Sequence, residues 1–220
     1  MTPQFLFVHG WAMDPSLWDA VRDELGGHAG TVRGLRYFAP PPDAPPPDAP
    51  TSDLSLADAP VIGVGHSLGV MQLLDEPPAG LVGLVAINGF TRFAAAADHP
   101  AGMPVRLLHR MMHRLDQDAD ATAAAFRARC GLPAMPCGRA LPALRRGLEM
   151  LVRGDRRQAW RDLAIPVLAL AARQDGIVPP ALSVACFGTP LWAPAGGHLL
   201  PLSHAPLCAR TLRDFAGRLG

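Results

Sequence analysis

The sequence of 220 residues has no lysine, one tyrosine and only four cysteines. The cysteines, at positions 130, 137, 186 and 208, form no C-x-x-C pair, which favours free thiols in a reducing compartment. Because all 20 basic residues are arginines, we interpret the charge of a segment rather than the identity of its cations.

Long hydrophobic runs are also missing. No apolar run reaches the roughly 18 residues of a membrane helix, and the run Phe5–Val8 is too short for the hydrophobic part of a signal peptide. With 49% hydrophobic and 18% charged residues, the composition is that of an ordinary globular domain. We therefore expect a cytoplasmic protein that contacts neither a membrane nor nucleic acid.

The net charge of +1 conceals a local excess of arginine. Residues 106–157 hold eleven arginines and five acids, a balance of +6, whereas the rest of the chain holds nine and fourteen, a balance of −5. A local excess of positive charge gives information about binding partners and not about the fold. It predicts either a docking surface for an acidic protein or a solvated helical surface, and the sequence leaves both open.

Strand and helix patterns alternate along most of the chain. Short apolar runs bounded by glycine or proline predict strands, at Phe5–Val8, within Thr31–Phe38, and at Val61–Gly65, Leu81–Ile87, Pro166–Ala172 and Pro190–Ala193. Helical patterns lie between or after them, at Asp14–Leu25, Leu68–Asp75, Pro179–Cys186 and Ala205–Leu219. This alternation predicts an α/β protein with a parallel sheet.

Two segments interrupt the alternation. Residues 39–50 are mostly proline and alanine, which predicts an extended surface connector. Residues 90–163 lack strand patterns and predict helices, at Val105–Leu115, Ala119–Cys130 and Ala140–Leu151. The sequence therefore predicts a core of residues 1–89 and 164–220 that carries a helical lid formed by residues 90–163.

The segment Gly65-His66-Ser67-Leu68-Gly69 matches the G-x-S-x-G motif and lies between a predicted strand and a predicted helix. A serine at such a sharp turn projects its hydroxyl beyond the sheet, and the flanking glycines leave room for neighbouring backbone. A chance match in a glycine-rich chain would rarely have this context. Ser67 is therefore the candidate nucleophile.

A serine nucleophile needs a histidine base that is oriented by a carboxylate, and in sites of this kind the chain order is serine, acid, histidine. Asp175 follows the predicted strand that ends at Ala172, at the sheet edge where α/β proteins place their sites. A turn-forming aspartate before glycine would look the same. Together with Ser67, its position favours Asp175 as the acid.

His198 is the candidate base among the eight histidines, because it follows two glycines after the last strand and precedes the closing helix. His204 is the second candidate, although its place near the start of that helix favours a structural role. His109 and His113 have the spacing of metal ligands on a helix, but no carboxylate is placed to complete a site. We predict neither a metal nor a cofactor.

An oxyanion hole for this serine requires two backbone N–H donors. Leu68, directly after the candidate nucleophile, supplies one, and Trp11, in the turn after the first strand, supplies the other. Trp11 can also be a packed aromatic residue, since only its backbone is needed. We expect the substrate to contact both residues.

Four segments resemble the family of pimeloyl-[acyl-carrier protein] methyl ester esterases of biotin synthesis, namely Phe7–Asp14, Gly65–Gly69, Arg146–Leu151 and Gly197–His204. The resemblance covers nearly the whole chain. It implies an α/β-hydrolase fold, a mostly parallel sheet flanked by helices with a helical lid insertion. It also implies a serine carboxylesterase that hydrolyses a carrier-bound methyl ester without a cofactor.

The same resemblance implies contacts between the lid and the substrate. By position, the acyl chain would contact Phe126, Arg127, Ala128, Arg129 and Cys130. The implied partner is an acyl-carrier protein, which is acidic and which a positive lid would attract. We expect its contacts among Arg127, Arg129, Arg139, Arg145 and Arg146.

Other functions remain open from the sequence. The same triad would serve a broad small-ester carboxylesterase, a thioesterase or a C–C hydrolase, because these reactions use the same nucleophile and oxyanion hole. A non-catalytic binding protein of the same fold is a further alternative, but such a protein has no need of Ser67, Asp175 and His198 together.

Overall fold

The structure is a computed structural model that describes residues 3–26, 31–35, 37, 59–138 and 140–219. A six-stranded sheet with the order β2-β1-β3-β4-β5-β6 forms its centre, and every pair of neighbouring strands is parallel. The strands are β1 (Gln4–Val8), β2 (Thr31–Arg33), β3 (Val61–His66), β4 (Leu81–Ile87), β5 (Val167–Ala172) and β6 (Leu191–Ala193). The predicted parallel sheet is confirmed.

Nine α-helices belong to the described residues. They are α1 (Asp19–Glu24), α2 (Gly69–Asp75), α3 (Val105–Gln117), α4 (Ala119–Arg129), α5 (Leu141–Arg153), α6 (Arg157–Arg161), α7 (Pro180–Phe187), α8 (Leu200–Ser203) and α9 (Ala205–Ala216). None of the described helices is long and apolar enough to cross a membrane.

Several elements differ from the sequence predictions. The helix predicted from Asp14 begins as a 3-10 helix, Pro15–Trp18, and continues as α1. The short helices α6 and α8 were not predicted, because four or five residues are too few for a periodic pattern. The predicted connector at residues 39–50 lies outside the described residues.

The sheet is covered on both faces, which explains its apolar strands. In β1, Phe5 and Phe7 pack into one core cluster, whereas Leu6 and Val8 pack into another. This alternation follows from the two-residue period of a strand. Every residue of β3 is buried, as expected for a central strand of a parallel sheet.

The parallel arrangement brings the carboxyl ends of the strands to one edge of the sheet. Five candidate or neighbouring residues follow these ends, namely Trp11 after β1, Ser67 after β3, Asn88 after β4, Asp175 after β5 and His198 after β6. We call residues 90–163, which contain α3 to α6, the helical segment. It packs at this edge, where a shared apolar cluster includes Trp11 and Leu68 together with Leu144 and Leu148 of α5.

Candidate active site

Ser67 lies in a strained turn between β3 and α2. Its φ angle is +54°, a left-handed conformation that side chains with a Cβ adopt only at a cost of about 1–2 kcal/mol. The glycines of the motif are required by close contacts. A Cβ on Gly65 would lie 2.7 Å from Cα of Val70, and one on Gly69 would collide with the Val8 carbonyl. The turn therefore has the geometry predicted from the sequence.

Asp175 and His198 form a buried pair. His198 Nδ1 lies 2.8 Å from Asp175 Oδ2, and both side chains are almost fully enclosed. The other carboxylate oxygen, Oδ1, accepts the N–H groups of Ile177 and Val178 at 2.7 and 2.8 Å. These bonds hold the carboxylate in one orientation. The tautomer that suits this pair has its proton on Nδ1, where it donates to Asp175, and presents Nε2 as an acceptor.

The Nε2 atom of His198 is buried and has no hydrogen-bond partner among the described residues. Four other buried side-chain atoms of the described residues also lack a partner, but among the five only the His198 ring has a carboxylate hydrogen-bonded to its other nitrogen. A neutral imidazole with an unused nitrogen can accept a proton from a hydroxyl group brought next to it. Ser67, the candidate nucleophile, lies at the same edge of the sheet. The hydrogen bond between a nucleophile and its base is often long in sites without substrate.

The backbone of His198 is held by two side chains that sequence reasoning missed as site residues. Asn88 Nδ2 donates to the carbonyls of Gly197 and His198 at 2.8 and 2.9 Å, and its Oδ1 accepts the Ala172 N–H at 2.8 Å. His66 Nε2 lies 2.9 Å from the same His198 carbonyl. Asn88 thus joins the end of β5, just before the Asp175 loop, to the His198 loop.

A sequence signal for Asn88 does exist. It is a polar residue directly after the buried strand β4, at the edge where the other candidate residues lie. Its φ of +45° agrees with the tolerance of asparagine for the left-handed conformation.

Asn88→Asp is expected to lower kcat by about tenfold to a hundredfold with little change in KM, because small displacements of a catalytic group have effects of this size. The aspartate would still accept the Ala172 N–H, but it would face two carbonyl oxygens that need donors. Steady-state kinetics on a p-nitrophenyl ester measure the effect. Asn88→Gly tolerates the backbone angle and adds no repulsion, so its kcat should fall less than that of Asn88→Asp. An unchanged kcat in both variants would mean that Asn88 does not position His198.

Other described histidines lie in surroundings that differ from those of His198. Burial lowers the pKa of His9 to about 4 and that of His66 well below its usual value, so both rings are neutral near pH 7. His204 is at the N-cap of α9 and its Nδ1 lies 2.9 Å from the Ser203 hydroxyl. His109 and His113 lie on the exposed side of α3, and the described residues contain no cluster suited to a metal ion.

The two candidate oxyanion donors belong to two turns at the same edge of the sheet. Leu68 precedes α2, and Trp11 is in the turn after β1. Among the described residues, neither backbone N–H has a backbone acceptor. Gly10 allows the two turns to approach, since a Cβ there would lie 2.8 Å from Cβ of Ser67.

A pocket of about 620 Å³ opens beside Ser67. Apolar side chains from both the core and the helical segment form most of its wall, including Trp11, Phe90, Phe93, Met111, Leu151 and Ile177. Charged and polar side chains also line it, namely Arg110, Arg114, Gln117, Asp118 and Arg129. The pocket can therefore enclose an apolar chain and also contact an anionic group.

The predicted substrate contacts on α4 are corrected in part. Phe126 and Arg129 line the pocket, whereas Arg127, Ala128 and Cys130 are not among its lining residues. The physical reason is the helical period, because residues three apart share a face and five consecutive residues do not.

The predicted carrier contacts also change. Arg127 is 3% exposed and cannot meet a protein at the surface. Arg145 is exposed but is ion-paired with Asp116 and Glu149. Arg129 and Arg146 are exposed, and Arg139 lies outside the described residues.

Comparison with known proteins agrees with this architecture. Residues 5–211 match the model of the alpha/beta hydrolase family, so the chain belongs to the alpha/beta hydrolase family. The predicted fold is confirmed, and the chain is a carboxylic ester hydrolase.

The chain is similar over its length to curated proteins of one kind. It is 26% identical to the pimeloyl-[acyl-carrier protein] methyl ester esterase of Xylella fastidiosa (strain M23), with 99% of this chain and 96% of that protein covered. It is 29% identical to the protein of the same name from Methylococcus capsulatus, with 97% and 94% covered. The resemblance predicted from the four segments is confirmed.

Solved structures share the fold at lower identity. A thermophilic esterase from Thermogutta terrifontis matches with a TM-score of 0.68 and 21% identity, covering 100% of this chain and 90% of the other. A hydrolase from Oleispira antarctica matches with a TM-score of 0.72 and 16% identity, covering 99% and 92%.

Proposed function

We propose that the chain is a serine esterase in which Ser67, His198 and Asp175 form the catalytic triad, and that it hydrolyses the methyl ester of a pimeloyl chain on acyl-carrier protein. The observation that carries the proposal is the buried His198. Its Nδ1 is bonded to Asp175, its Nε2 has no partner among the described residues, and a strained serine turn lies at the same edge of the sheet.

The reaction follows from these roles. His198 Nε2 takes the Ser67 proton as Oγ attacks the ester carbonyl, and Asp175 stabilises the imidazolium that forms. Collapse of the tetrahedral intermediate expels methanol, which receives the proton from His198. A water molecule, activated by the same histidine, then attacks the acyl-enzyme and releases the carboxylic acid.

The negative oxygen of each tetrahedral intermediate would be held by the N–H groups of Trp11 and Leu68. Both N–H groups lack a backbone acceptor among the described residues, so the oxyanion would displace no backbone bond. Donors of this kind stabilise the transition state more than the substrate, because charge develops there.

The helical segment, residues 90–163, is assigned as the lid over a core of residues 1–89 and 164–220. Its side chains Met111 and Phe126 face the pocket beside Ser67. An acyl chain would lie among these apolar groups with its methyl ester at Ser67, and its carrier-bound end would leave through the arginine-lined part of the wall.

Carrier binding is supported by the charges at the pocket. Arg110, Arg114 and Arg129 line it, are exposed, and form no ion pair with a carboxylate of the described residues. Arg110 and Arg114 take the place of Arg127 and Arg145 in our expectation, because the latter two are buried or paired. The relatives' name supports the same partner, and the family resemblance of the four sequence segments implies a place in biotin synthesis.

Activity on other esters or thioesters is the alternative, since the triad does not distinguish them. Purified protein assayed against pimeloyl-carrier methyl ester, the matching pimeloyl thioester and p-nitrophenyl esters of graded length decides between these substrates. The proposal requires the carrier-bound methyl ester to have the highest kcat/KM. A preference for short p-nitrophenyl esters would indicate a broad carboxylesterase.

Reversing the charge of Arg110 and Arg129 to glutamate together is expected to raise KM for the carrier-bound ester by about tenfold or more at low salt and to flatten its salt dependence. Charges at a binding surface act mainly on association and are screened by salt. Hydrolysis of p-nitrophenyl butyrate, which has no carrier, should lose less activity, and its salt dependence should stay the same.

The matched control for this pair is the reversal of Arg106 and Arg153, which are exposed on α3 and α5 and are not among the lining residues. Both double variants change the net charge by the same amount. A rise in KM that depends on the pocket should therefore appear only when Arg110 and Arg129 are reversed. Equal losses in both pairs would mean that only overall charge matters. No change in either would remove the support for a carrier.

A further inference from the structure

Arg127 lies on α4, and its side chain is 3% exposed. Its guanidinium group reaches residues 9–14, which join β1 to the 3-10 helix and which we call the oxyanion loop. Nη1 donates to the Ala12 carbonyl at 3.1 Å and lies 3.3 Å from Oδ2 of Asp14. Nε donates to the Pro133 carbonyl at 2.6 Å. One buried cation thus ties the end of α4 to this loop.

The conformation of the oxyanion loop needs such a tie. Ala12 has a φ angle of +51°, and the left-handed conformation costs a residue with a Cβ about 1–2 kcal/mol. The carbonyl of this residue is the one that Arg127 binds, so the guanidinium stabilises the strained residue directly. A change at Ala12 would be transmitted to its neighbour Trp11.

Trp11 is held from the same side. Its indole N–H donates to the Leu144 carbonyl of α5 at 2.8 Å, and its ring packs edge-on against Phe126 with the ring centroids 5.0 Å apart. Phe126 and Arg127 are adjacent on α4 and contact adjacent residues of the oxyanion loop. The position of this loop relative to Ser67 therefore depends on α4 and α5.

A buried guanidinium group is costly to desolvate unless it is paired and hydrogen-bonded. An apolar side chain at position 127 would avoid that penalty and would extend the packing around Phe126. Arginine adds a planar set of N–H donors that reaches two carbonyls and a carboxylate together. The contacts therefore favour a role in holding the loop over a role in packing alone.

From these contacts we infer that Arg127 is a positioning residue for the oxyanion hole. By holding Ala12, it keeps the Trp11 N–H directed at the ester carbonyl oxygen as that oxygen becomes negative. The inference rests on the proposed function, because it requires that Ser67 attack an ester and that Trp11 supply a donor. It also gives the helical segment a part in the chemistry, in addition to its place over the pocket.

Arg127→Met and Arg127→Lys, with Arg153→Met as the exposed control on α5, test the inference. For Arg127→Met on p-nitrophenyl butyrate, kcat should fall by about tenfold to a hundredfold while KM stays within about threefold, since one misplaced oxyanion donor weakens transition-state binding. Inhibition by a trifluoromethyl ketone, whose adduct with Ser67 carries an oxyanion, should weaken by the same factor. Inhibition by the matching methyl ketone should barely change.

Arg127→Lys keeps the charge but reaches fewer acceptors, so its kcat should lie between wild type and Arg127→Met. It also remains informative if the methionine variant does not fold. An unchanged kcat in the folded variants, or equal weakening of both ketones, would overturn the inference and leave Arg127 a packing residue. Failure of the proposed function is a separate result, because only then would Ser67→Ala remain active.

Discussion

Ser67→Ala is expected to lower kcat for ester hydrolysis by at least about a thousandfold, since triad members act as a unit and the loss of one removes most of the rate enhancement. The fold should be retained. Serine and alanine both have a Cβ, so the strain at the φ angle of +54° is the same in either protein. Turnover of a p-nitrophenyl ester and the circular dichroism melting temperature measure the two effects. Activity within tenfold of wild type in a clean preparation would end the triad assignment.

Two further variants test whether the loss of activity in Ser67→Ala comes from the missing Ser67 hydroxyl. Ser67→Gly accepts a positive φ without strain, so it should be as inactive as Ser67→Ala and at least as stable. Ser203→Ala, at the end of α8, removes a hydroxyl that donates to the Leu199 carbonyl and should keep nearly full activity. A loss of activity in Ser203→Ala equal to that in Ser67→Ala would point to a general effect on folding.

His198→Ala should be about as damaging as Ser67→Ala, whereas His204→Ala should keep most of the activity. His198 is buried and paired with Asp175, while His204 is only half-buried and lies 2.9 Å from the neighbouring Ser203 hydroxyl. The kcat values of the two variants on one p-nitrophenyl ester provide the comparison. The reverse pattern would mean that the base is His204, although the hydrolase assignment would survive.

Asp175→Asn tests whether Asp175 orients the His198 ring or only helps its own loop to fold. The asparagine oxygen can still accept the N–H groups of Ile177 and Val178, so the loop should fold normally. Its amide nitrogen would then face His198 Nδ1 as a donor and impose the wrong tautomer, which is expected to lower kcat by roughly ten-thousandfold. Melting temperature should change little. An active Asp175→Asn would mean that a different group orients the histidine.

Sequence reasoning succeeded where local pattern and chemistry agree. The strands Val61–His66 and Leu81–Ile87 are buried on both faces, and their apolar runs were recognisable for that reason. The serine turn was predictable because G-x-S-x-G is a continuous motif between a strand and a helix pattern. Gly65 is required by contacts within this turn, whereas Gly69 is required by the backbone of Val8 and His9 in the neighbouring part of the chain after β1. Asp175 and His198 were assigned from chain order, and the structure pairs them at 2.8 Å.

Predictions failed where a residue's role depends on a distant part of the chain. Arg127 and Arg129 are two residues apart on α4 and look equivalent in sequence. The helix turns one toward the core, where it binds the Ala12 carbonyl, and the other toward the pocket wall. Asn88 was overlooked because its partners are 84 to 110 residues further along the chain.

The sequence by itself determined the parallel α/β architecture, the serine turn and the order of the candidate triad, because apolar strands, helix periodicity and the G-x-S-x-G motif are each patterns of a few consecutive residues. Only the tertiary structure decided which arginines line the pocket and which are buried, and that Asn88 and His66 hold the His198 backbone. Side-chain direction on a helix follows its 3.6-residue period, but what lies in that direction depends on how the helices pack. Counting charges along the sequence therefore indicated a positive helical segment. It could not show which of the arginines in that segment are exposed and which are buried.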